Sequence, residues 1–488
     1  MTEIDQQILA EIDRLAQAAV GKQSQGAFEE AIGLYRQALE MESGLSAVHL
    51  NLGVCLKALE RLPEAAEAFE RALELEPDYA GAYFNLANVL VLQERNDKAE
   101  TCFRRALEQQ AVYPEALNNL ANLLLNENRL QEAAEACEQA LDQRPDFLDA
   151  LNTLGNVRKK QGRFEEACEL YRRVLLQGPE SYETQLNLGM GLLLLGDFQE
   201  GGRLYEQRLP KAARAHQPWP EGAVKGKRVV ILAEQGYGDA IQGIRYAPVM
   251  KAAGAAAVHV ECEKPLMRLF AGLDSVSTVV ETQADLPPHD LRGAVLSLPY
   301  LMGTRLDTIP AETPYITADP DLTETWAKRF SGLQGLKAGL VWSGNPNHKN
   351  DHNRSIPLDQ LAPLAEVGGI DWVSLQMGVE SGDLNHWPAA LNDPTSDITD
   401  FADSAAILAN LDLVIAADTA VVHLAGALGR PVWVLLPFDP DWRWLLERTD
   451  SPWYPTAQLF RQSEPGDWAG VVRQVKAALP EEIKSHRS

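Results

Sequence analysis

The chain has 488 residues, 45% of them apolar and 23% charged. That is ordinary for globular protein and excludes collagen-like, purely coiled-coil and wholly disordered classes. Asp and Glu number 69 against 44 Lys and Arg, a net charge of −25, so neither nucleic acid nor an anionic membrane surface is an expected partner.

At roughly 100–200 residues per domain, this length makes about three domains. Met1-Thr2-Glu3-Ile4-Asp5 is acidic and no apolar leader follows. The longest apolar stretch, Ile407 to Pro437, is broken by Asp412, Asp418, His423 and Arg430, so no membrane insertion is expected. The five cysteines are scattered, with no Cys-x-x-Cys pair. The expectation is a reduced, cytoplasmic protein without structural zinc.

The first 209 residues repeat themselves. Leu39, Leu73, Leu107, Leu141, Leu175 and Leu209 stand 34 residues apart. Ala31, Ala65, Ala99, Ala133 and Ala167 form a second ladder, which Gly201 continues, and Leu52, Leu86, Leu120, Leu154 and Leu188 a third. Beside the third run small residues, Gly53, Ala87, Ala121, Gly155 and Gly189. Pro77, Pro145 and Pro179 fall at one phase, where a proline stops a helix. Small residues let paired helices approach, and stacking of pairs supplies the core that one pair lacks. The pattern resembles the tetratricopeptide family. It predicts about five repeats from near Ile12 to Ser181 and an incomplete sixth to Leu209, in an α-helical solenoid over 1–209.

Asn51, Asn85, Asn119 and Asn187 share one phase, with Thr153 the exception, and Asn88, Asn122 and Asn156 share another. Asparagine both donates and accepts. Such columns either hold the backbone of an extended peptide acceptor or bond neighbouring helices to one another. Up to Pro210 the chain carries 35 acidic and 20 basic residues, so a peptide in this groove is expected to be neutral or basic.

Prolines at 210, 218 and 220 mark a connector over 210–228. Beyond it, short apolar runs alternate with helical stretches. Val229–Ala233, Ala255–Glu261 and Ser275–Val280 read as strands of one series. Ala338–Trp342, Trp372–Leu375, Leu411–Ala416 and Val432–Leu436 read as strands of a second. The alternation predicts two Rossmann-like α/β lobes, 229–334 and 335–488, with a cleft between them.

Three motifs stand at strand ends. Ala233-Glu234-Gln235-Gly236-Tyr237-Gly238-Asp239-Ala240 is a glycine-rich turn, but Ile241 stands where a dinucleotide fingerprint needs a small residue. Asp239 is there either a general base or a helix cap. Asp418-Thr419-Ala420-Val421-Val422-His423 follows a strand and opens a helix whose free N–H groups suit a diphosphate. Asp418 is alternatively a cap, and His423 a core histidine. The polar loop from Ser343 to Ser355 brings Lys349 and Arg354, suited to phosphate oxygens. Of two Asp-Pro-Asp triplets, Asp319–Asp321 reads as a turn, while Asp439–Asp441, followed by Trp442-Arg443-Trp444 at the end of the strand Val432–Leu436, is a candidate ligand contact; neither makes a full cation cage, so no metal is expected.

Gly238-Asp239, Val341-Trp342-Ser343 and the run from Asp418 to Pro431 resemble the ADP-heptose:lipopolysaccharide heptosyltransferase superfamily, over roughly residues 225–475. The whole arrangement is similar to bacterial tetratricopeptide proteins with a C-terminal glycosyltransferase domain, and to O-GlcNAc transferase, whose repeats carry an asparagine ladder. The resemblance implies a GT-B fold, a donor held mostly by the C-terminal lobe, and no catalytic metal or other cofactor. It makes Asp239 the base and Thr419 and His423 diphosphate contacts, with Asp418 shaping their turn. It makes Lys349 a phosphate ligand and puts Gln376 at the nucleoside. Ala420 stands where the family usually has glycine.

The function so implied is metal-independent, inverting transfer from a nucleotide-diphosphate sugar to a protein or peptide acceptor presented by the repeats. The alternative is a non-catalytic scaffold with a degenerate sugar-nucleotide module. A nucleotide-sugar epimerase is a third, weaker fit.

Overall fold

The structure is a computed structural model and describes residues 3–215, 217–348, 350–378 and 383–487. The chain divides into two compact units, Met1–Thr184 and Gln185–Ser488.

The first unit is all helix: α1 (Glu3–Ser24), α2 (Phe28–Met41), α3 (Ser46–Ala58), α4 (Leu62–Leu75), α5 (Ala80–Leu92), α6 (Asn96–Gln109), α7 (Pro114–Asn126), α8 (Leu130–Gln143), α9 (Leu148–Lys160) and α10 (Phe164–Gln177). Consecutive helices pack in pairs. The alanine ladder from Ala31 to Ala167 is buried, and so are Leu52, Leu86, Leu120 and Leu154. Gly53 and Gly155 face the aromatic rung of the next helix. A Cβ at Gly53 would lie 2.5 Å from Phe69 Cε1, and one at Gly155 equally close to Tyr171 Cε1, so only hydrogen fits. The turns within pairs repeat too. Gly26, Glu60, Glu94, Asn128 and Gly162, each 34 residues apart, all take positive φ. The next residue in four of these turns is arginine, and in three of the four it has a Glu three residues further on. Arg61, Arg129 and Arg163 each fold onto the Glu three residues later, and Arg129 also reaches Glu100 of the preceding repeat.

The second unit begins inside α11 (Tyr182–Leu194) and includes α12 (Phe198–Tyr205). The 34-residue grammar runs on to Leu209, yet this last pair is built into the α/β unit. Gly202 lies against Tyr300, Gln199 Nε2 donates to the Thr304 carbonyl at 2.9 Å, and Phe198 packs edge-on against Trp442. Arg208, just beyond α12, donates to Ser297 Oγ at 2.9 Å and pairs with Glu206 and Glu234. The connector is tied down as well, since Trp219 N–H donates to the Leu301 carbonyl at 2.8 Å.

Two all-parallel sheets follow. β1 (Arg228–Leu232), α13 (Tyr237–Gly243), α14 (Tyr246–Ala252), β2 (Ala257–Cys262), α15 (Lys264–Ala271), β3 (Thr278–Glu281), β4 (Leu291–Ala294) and α16 (Leu298–Leu301) make the first lobe. Its strand order is β3-β2-β1-β4. After α17 (Pro320–Arg329) come β5 (Leu336–Val341), α18 (Asp351–Arg354), α19 (Leu358–Leu361), β6 (Ile370–Ser374), β7 (Leu391–Asn392), α20 (Phe401–Ala409), β8 (Leu413–Ala417), α21 (Ala420–Ala427), β9 (Val432–Leu436), β10 (Ala457–Arg461) and α22 (Trp468–Arg487). They order as β10-β9-β8-β5-β6-β7, the doubly wound order, which places its topological switch between β5 and β8. Fully buried runs such as Leu413–Ala417 and Val432–Leu436 are what a sheet covered on both faces requires. The chain joins the second lobe before residue 335. Tyr315 N–H donates to the Ala427 carbonyl at 3.0 Å, and α17 packs on α20.

Candidate functional site

The turn after β1 carries Glu234-Gln235-Gly236 into α13. Gln235 takes φ 63°, uncommon for a residue with a side chain. Asp239 is the third residue of α13, and its Oδ2 accepts the Gly236 N–H at 2.8 Å. The cap geometry is therefore realised, with the side chain still 21% exposed.

The turn after β8 leads from Asp418 to Thr419, which caps α21 in extended conformation. Thr419 Oγ1 is buried and has no hydrogen-bond partner among the described residues. Arg354 reaches this turn from α18: its Nη1 donates to the Asp418 carbonyl and its Nε to Asp351 Oδ1, both at 3.1 Å. At the neighbouring end of β5, Gln376 Oε1 accepts the Trp342 and Ser343 N–H groups at 3.1 and 2.8 Å. Gln376 thus ties the end of β6 to the end of β5 and is itself buried.

The two turns meet. A Cβ at Gly238 would lie 2.7 Å from His423 Cδ2 and 3.3 Å from Ala420 Cα, so α13 touches the first turn of α21 only because residue 238 is glycine. Asp239 Oδ1 accepts from Arg443 Nη2. Arg443 belongs to a 3-10 turn, Trp442–Trp444, beyond β9. Its Nη1 donates to Asp441 Oδ1 at 2.6 Å, its backbone N–H to the same oxygen at 3.0 Å, and its Nε to Gln242 Oε1. Leu445, ending that turn, sits at φ 51° and ψ −166°, a region nearly reserved for glycine.

Burial sets the protonation states. Desolvation works against the Arg443 charge, but Asp441 and Asp239 outweigh it and hold the guanidinium protonated. Burial, then the Asp441 charge, push the Asp418 carboxyl up to about 6, against Arg443 and Arg354. Burial, then Arg443, Arg245 and Arg354, drive His423 well below the ordinary imidazole range. His423 is therefore neutral near pH 7 and carries no charge toward Asp418, whose Oδ1 lies 3.9 Å from Nε2. Its Nδ1 meets the Tyr454 hydroxyl at 2.9 Å, and its ring stacks on Trp444. Arg245 links the lobes from behind, donating to the Trp453 carbonyl at 2.7 Å and to the Tyr315 hydroxyl at 3.0 Å.

Asp239, Arg354, Asp418, Thr419 and His423 thus lie at one junction, with Ser343 and Gln376 at the adjoining strand ends. Lys349 lies outside the described residues. Of the triplets, Asp319 caps α17 and Asp441 holds Arg443. Among the described residues no three His, Cys, Asp or Glu side chains group as metal ligands would. The sequence pointed to the segment holding Arg443 as a candidate ligand contact but not to its pairing with Asp239, and it did not single out Gln242, Tyr454 or Tyr205. Burial raises the Tyr205 phenol to about 12, with Arg443, Arg208, Asp441 and Asp239 as its charged neighbours. Its signal was available: Tyr35, Phe69, Phe103, Tyr171 and Tyr205 share the aromatic phase of the repeats, broken only by Cys137.

The asparagine columns bond to each other within the first unit. Asn119 Nδ2 donates to Asn88 Oδ1 at 2.8 Å. Thr153 Oγ1 makes the equivalent bond to Asn122 Oδ1 at 3.2 Å, so the exception keeps the rung. Asn85 has Val54 where the next partner would stand, and turns instead to the Gly81 carbonyl at 2.9 Å and to Lys57 Nζ. Asn51 lies half-buried on α3, and Asn187 on α11, past the division of the units.

Comparison with known proteins identifies the repeats. Three tetratricopeptide-repeat families match residues 44–111, 84–146 and 124–188, so this part of the chain is a tetratricopeptide array. Protein FlbA of Caulobacter vibrioides is 25% identical over 290 residues, which cover 54% of this chain and 48% of FlbA; the chain spans about half the length of that relative. Among solved structures, a MamA chain is 22% identical with a TM-score of 0.32 and covers 34% of this chain and 96% of its own. Pseudomonas aeruginosa pilF is 20% identical with a TM-score of 0.39, over 42% of this chain and 94% of its own. A thermophilic tetratricopeptide protein of Thermus thermophilus is 19% identical with a TM-score of 0.32, over 37% of this chain and 99% of its own. No helix among the described residues is long and apolar enough to cross a membrane.

Proposed function

We propose that the chain is a glycosyltransferase of GT-B fold that moves a sugar, with inversion and without metal, from a nucleotide diphosphate to a protein or peptide acceptor bound by the repeats. One observation carries the proposal: the turn after β1 and the turn after β8 meet at Gly238 and His423, with Asp239 on one side and the Thr419-capped helix on the other. Ligands of doubly wound sheets bind at such strand ends. In the proposed reaction Asp239 takes the proton of the acceptor hydroxyl while that oxygen attacks the anomeric carbon. The diphosphate leaves with the bonding electrons, and the N–H groups opening α21, Thr419 and Arg354 bear its charge. Neutral His423 supports the turn without adding charge. A second reading, a non-catalytic scaffold whose lobes bind a sugar nucleotide, is favoured by both oxygens of Asp239 being engaged, one by Gly236 and one by Arg443.

A calorimetric panel of ADP, GDP, UDP and their sugars, with and without EDTA, tests the proposal. Binding of one nucleotide series that survives EDTA is expected, with turnover lost and nucleotide binding not weakened in Asp239→Asn. Unchanged turnover in that variant removes Asp239 from the reaction. Nucleotide binding with no transfer by the intact chain favours the scaffold.

A further inference from the structure

The ion pair between Asp239 and Arg443 is at odds with a carboxylate that must accept a proton. One oxygen of Asp239 caps α13, and the other is held by a buried, permanently protonated guanidinium. For the carboxylate to act as base, the guanidinium has to take another partner. The two acids holding Arg443 are not equivalent. Asp441 also caps the turn carrying Arg443, accepting its backbone N–H at 3.0 Å, so it travels with the arginine. Asp239 comes from the other lobe, and nothing in the turn of Arg443 fixes it there.

The surroundings of Arg443 are rich in donors without acceptors. Gln242 accepts from Arg443 through Oε1, yet its Nε2 has no partner among the described residues, and the side chain is 3% exposed. The indole N–H of Trp442, next to Arg443, is likewise buried without an acceptor among the described residues. A buried donor left unpaired costs about 1–3 kcal/mol, and a donor-only set is matched by an oxygen-rich anion. The residues that aim the two partners, Gln235 before α13 and Leu445 after the 3-10 turn, are both at positive φ, as backbone around a functional site often is.

We propose that Arg443 is the anion receptor of this site, exchanging Asp239 for phosphate oxygens of a diphosphate ligand, so that binding of the leaving group itself frees the carboxylate. This rests on the transferase reading for its role in turnover, but not for its binding step. Guanidinium bonds phosphate oxygens in bidentate fashion as readily as carboxylate. Once released, Asp239 takes the acceptor proton as the new carbon–oxygen bond forms. The bond to the diphosphate breaks, and its electron pair leaves on an oxygen that Arg443 neutralises.

The test is a double-mutant cycle on the full chain with inorganic pyrophosphate as the calorimetric probe. Asp239→Asn, which can still cap α13, is expected to tighten pyrophosphate binding at least about fivefold, because the ligand no longer competes with a carboxylate. Arg443→Lys, which keeps a cation between the acids, is expected to weaken it about tenfold. In the Arg443→Lys background the gain from Asp239→Asn should shrink to within about twofold. Equal gains in both backgrounds, or no pyrophosphate binding to the wild-type chain, overturn the proposal. Should Arg443→Lys fail to fold, Asp441→Asn replaces it: tightening as large as that of Asp239→Asn is a bulk charge effect and equally overturns it. An intact cycle with no sugar transfer sinks the transferase reading and leaves Arg443 as receptor. Transfer without the cycle sinks only this inference.

Discussion

Asp418 shows what a single residue of the junction costs the fold. Its carboxyl titrates at about 6, above its ordinary 3.8, because burial and Asp441 disfavour its charge. The folded chain therefore holds a proton that the unfolded chain has already released, and stability falls as pH rises through that interval. Asp418→Asn removes the penalty. Its gain over wild type is expected to be near zero at about pH 4 and to reach roughly 1–3 kcal/mol above about pH 6. Thermal melts across that range check it, and a gain independent of pH would assign the effect to packing. Asp239, Thr419 and His423 could be located from sequence because strand, turn and helix lie within a dozen residues of each other. The partner of Arg443 could not. Asp239 is 204 residues earlier in the chain, and nothing local in Trp442-Arg443-Trp444 says which lobe Arg443 faces.

At the scale of elements, the helices were legible because one spacing imposes itself at many positions at once. The left-handed turn position is an instance: glycine serves at 26 and 162, asparagine at 128, and glutamate at 60 and 94. Glutamate carries a steric cost there that glycine escapes. Glu60→Gly and Glu94→Gly are each expected to stabilise the first unit by roughly 0.5–1 kcal/mol, read as a higher urea midpoint with unchanged slope; a lower midpoint would contradict the turn geometry. The sheets were legible less evenly. β1 and β9 were found nearly to the residue because their runs are uniformly apolar. β4 (Leu-Arg-Gly-Ala) and β10 (Ala-Gln-Leu-Phe-Arg) were missed because each mixes polar residues into a short run. β7 is only two residues long. Asparagine phases were visible, but their bonding was not, since Asn119 finds Asn88 one repeat earlier, whereas Asn85 meets Val54 of α3 at that place.

At the scale of the molecule, periodicity and compactness disagree about where the repeats end. The 34-residue pattern extends to Leu209, while the unit holding both sheets starts at Gln185. Phe198, Gly202 and Arg208 explain this, since each meets a residue of the lobes. A fragment beginning at Ser181 is expected to unfold as one cooperative transition, whereas one beginning at Lys211 should aggregate or melt without a sharp midpoint. Calorimetry on both fragments decides the matter, and a cooperative shorter fragment would show that α11 and α12 are dispensable to the sheets.

Tyr205 gives that shared helix pair a historical consequence. Arrays of this kind lengthen when a 34-residue module is copied, and a copy inserted among the inner modules would leave the phenol beside Asp239 and Arg443 undisturbed. A copy inserted after Tyr205 would carry it away from them. The contact of Tyr205 is thus compatible with a longer array of inner modules and incompatible with an insertion between the final module and the sheets.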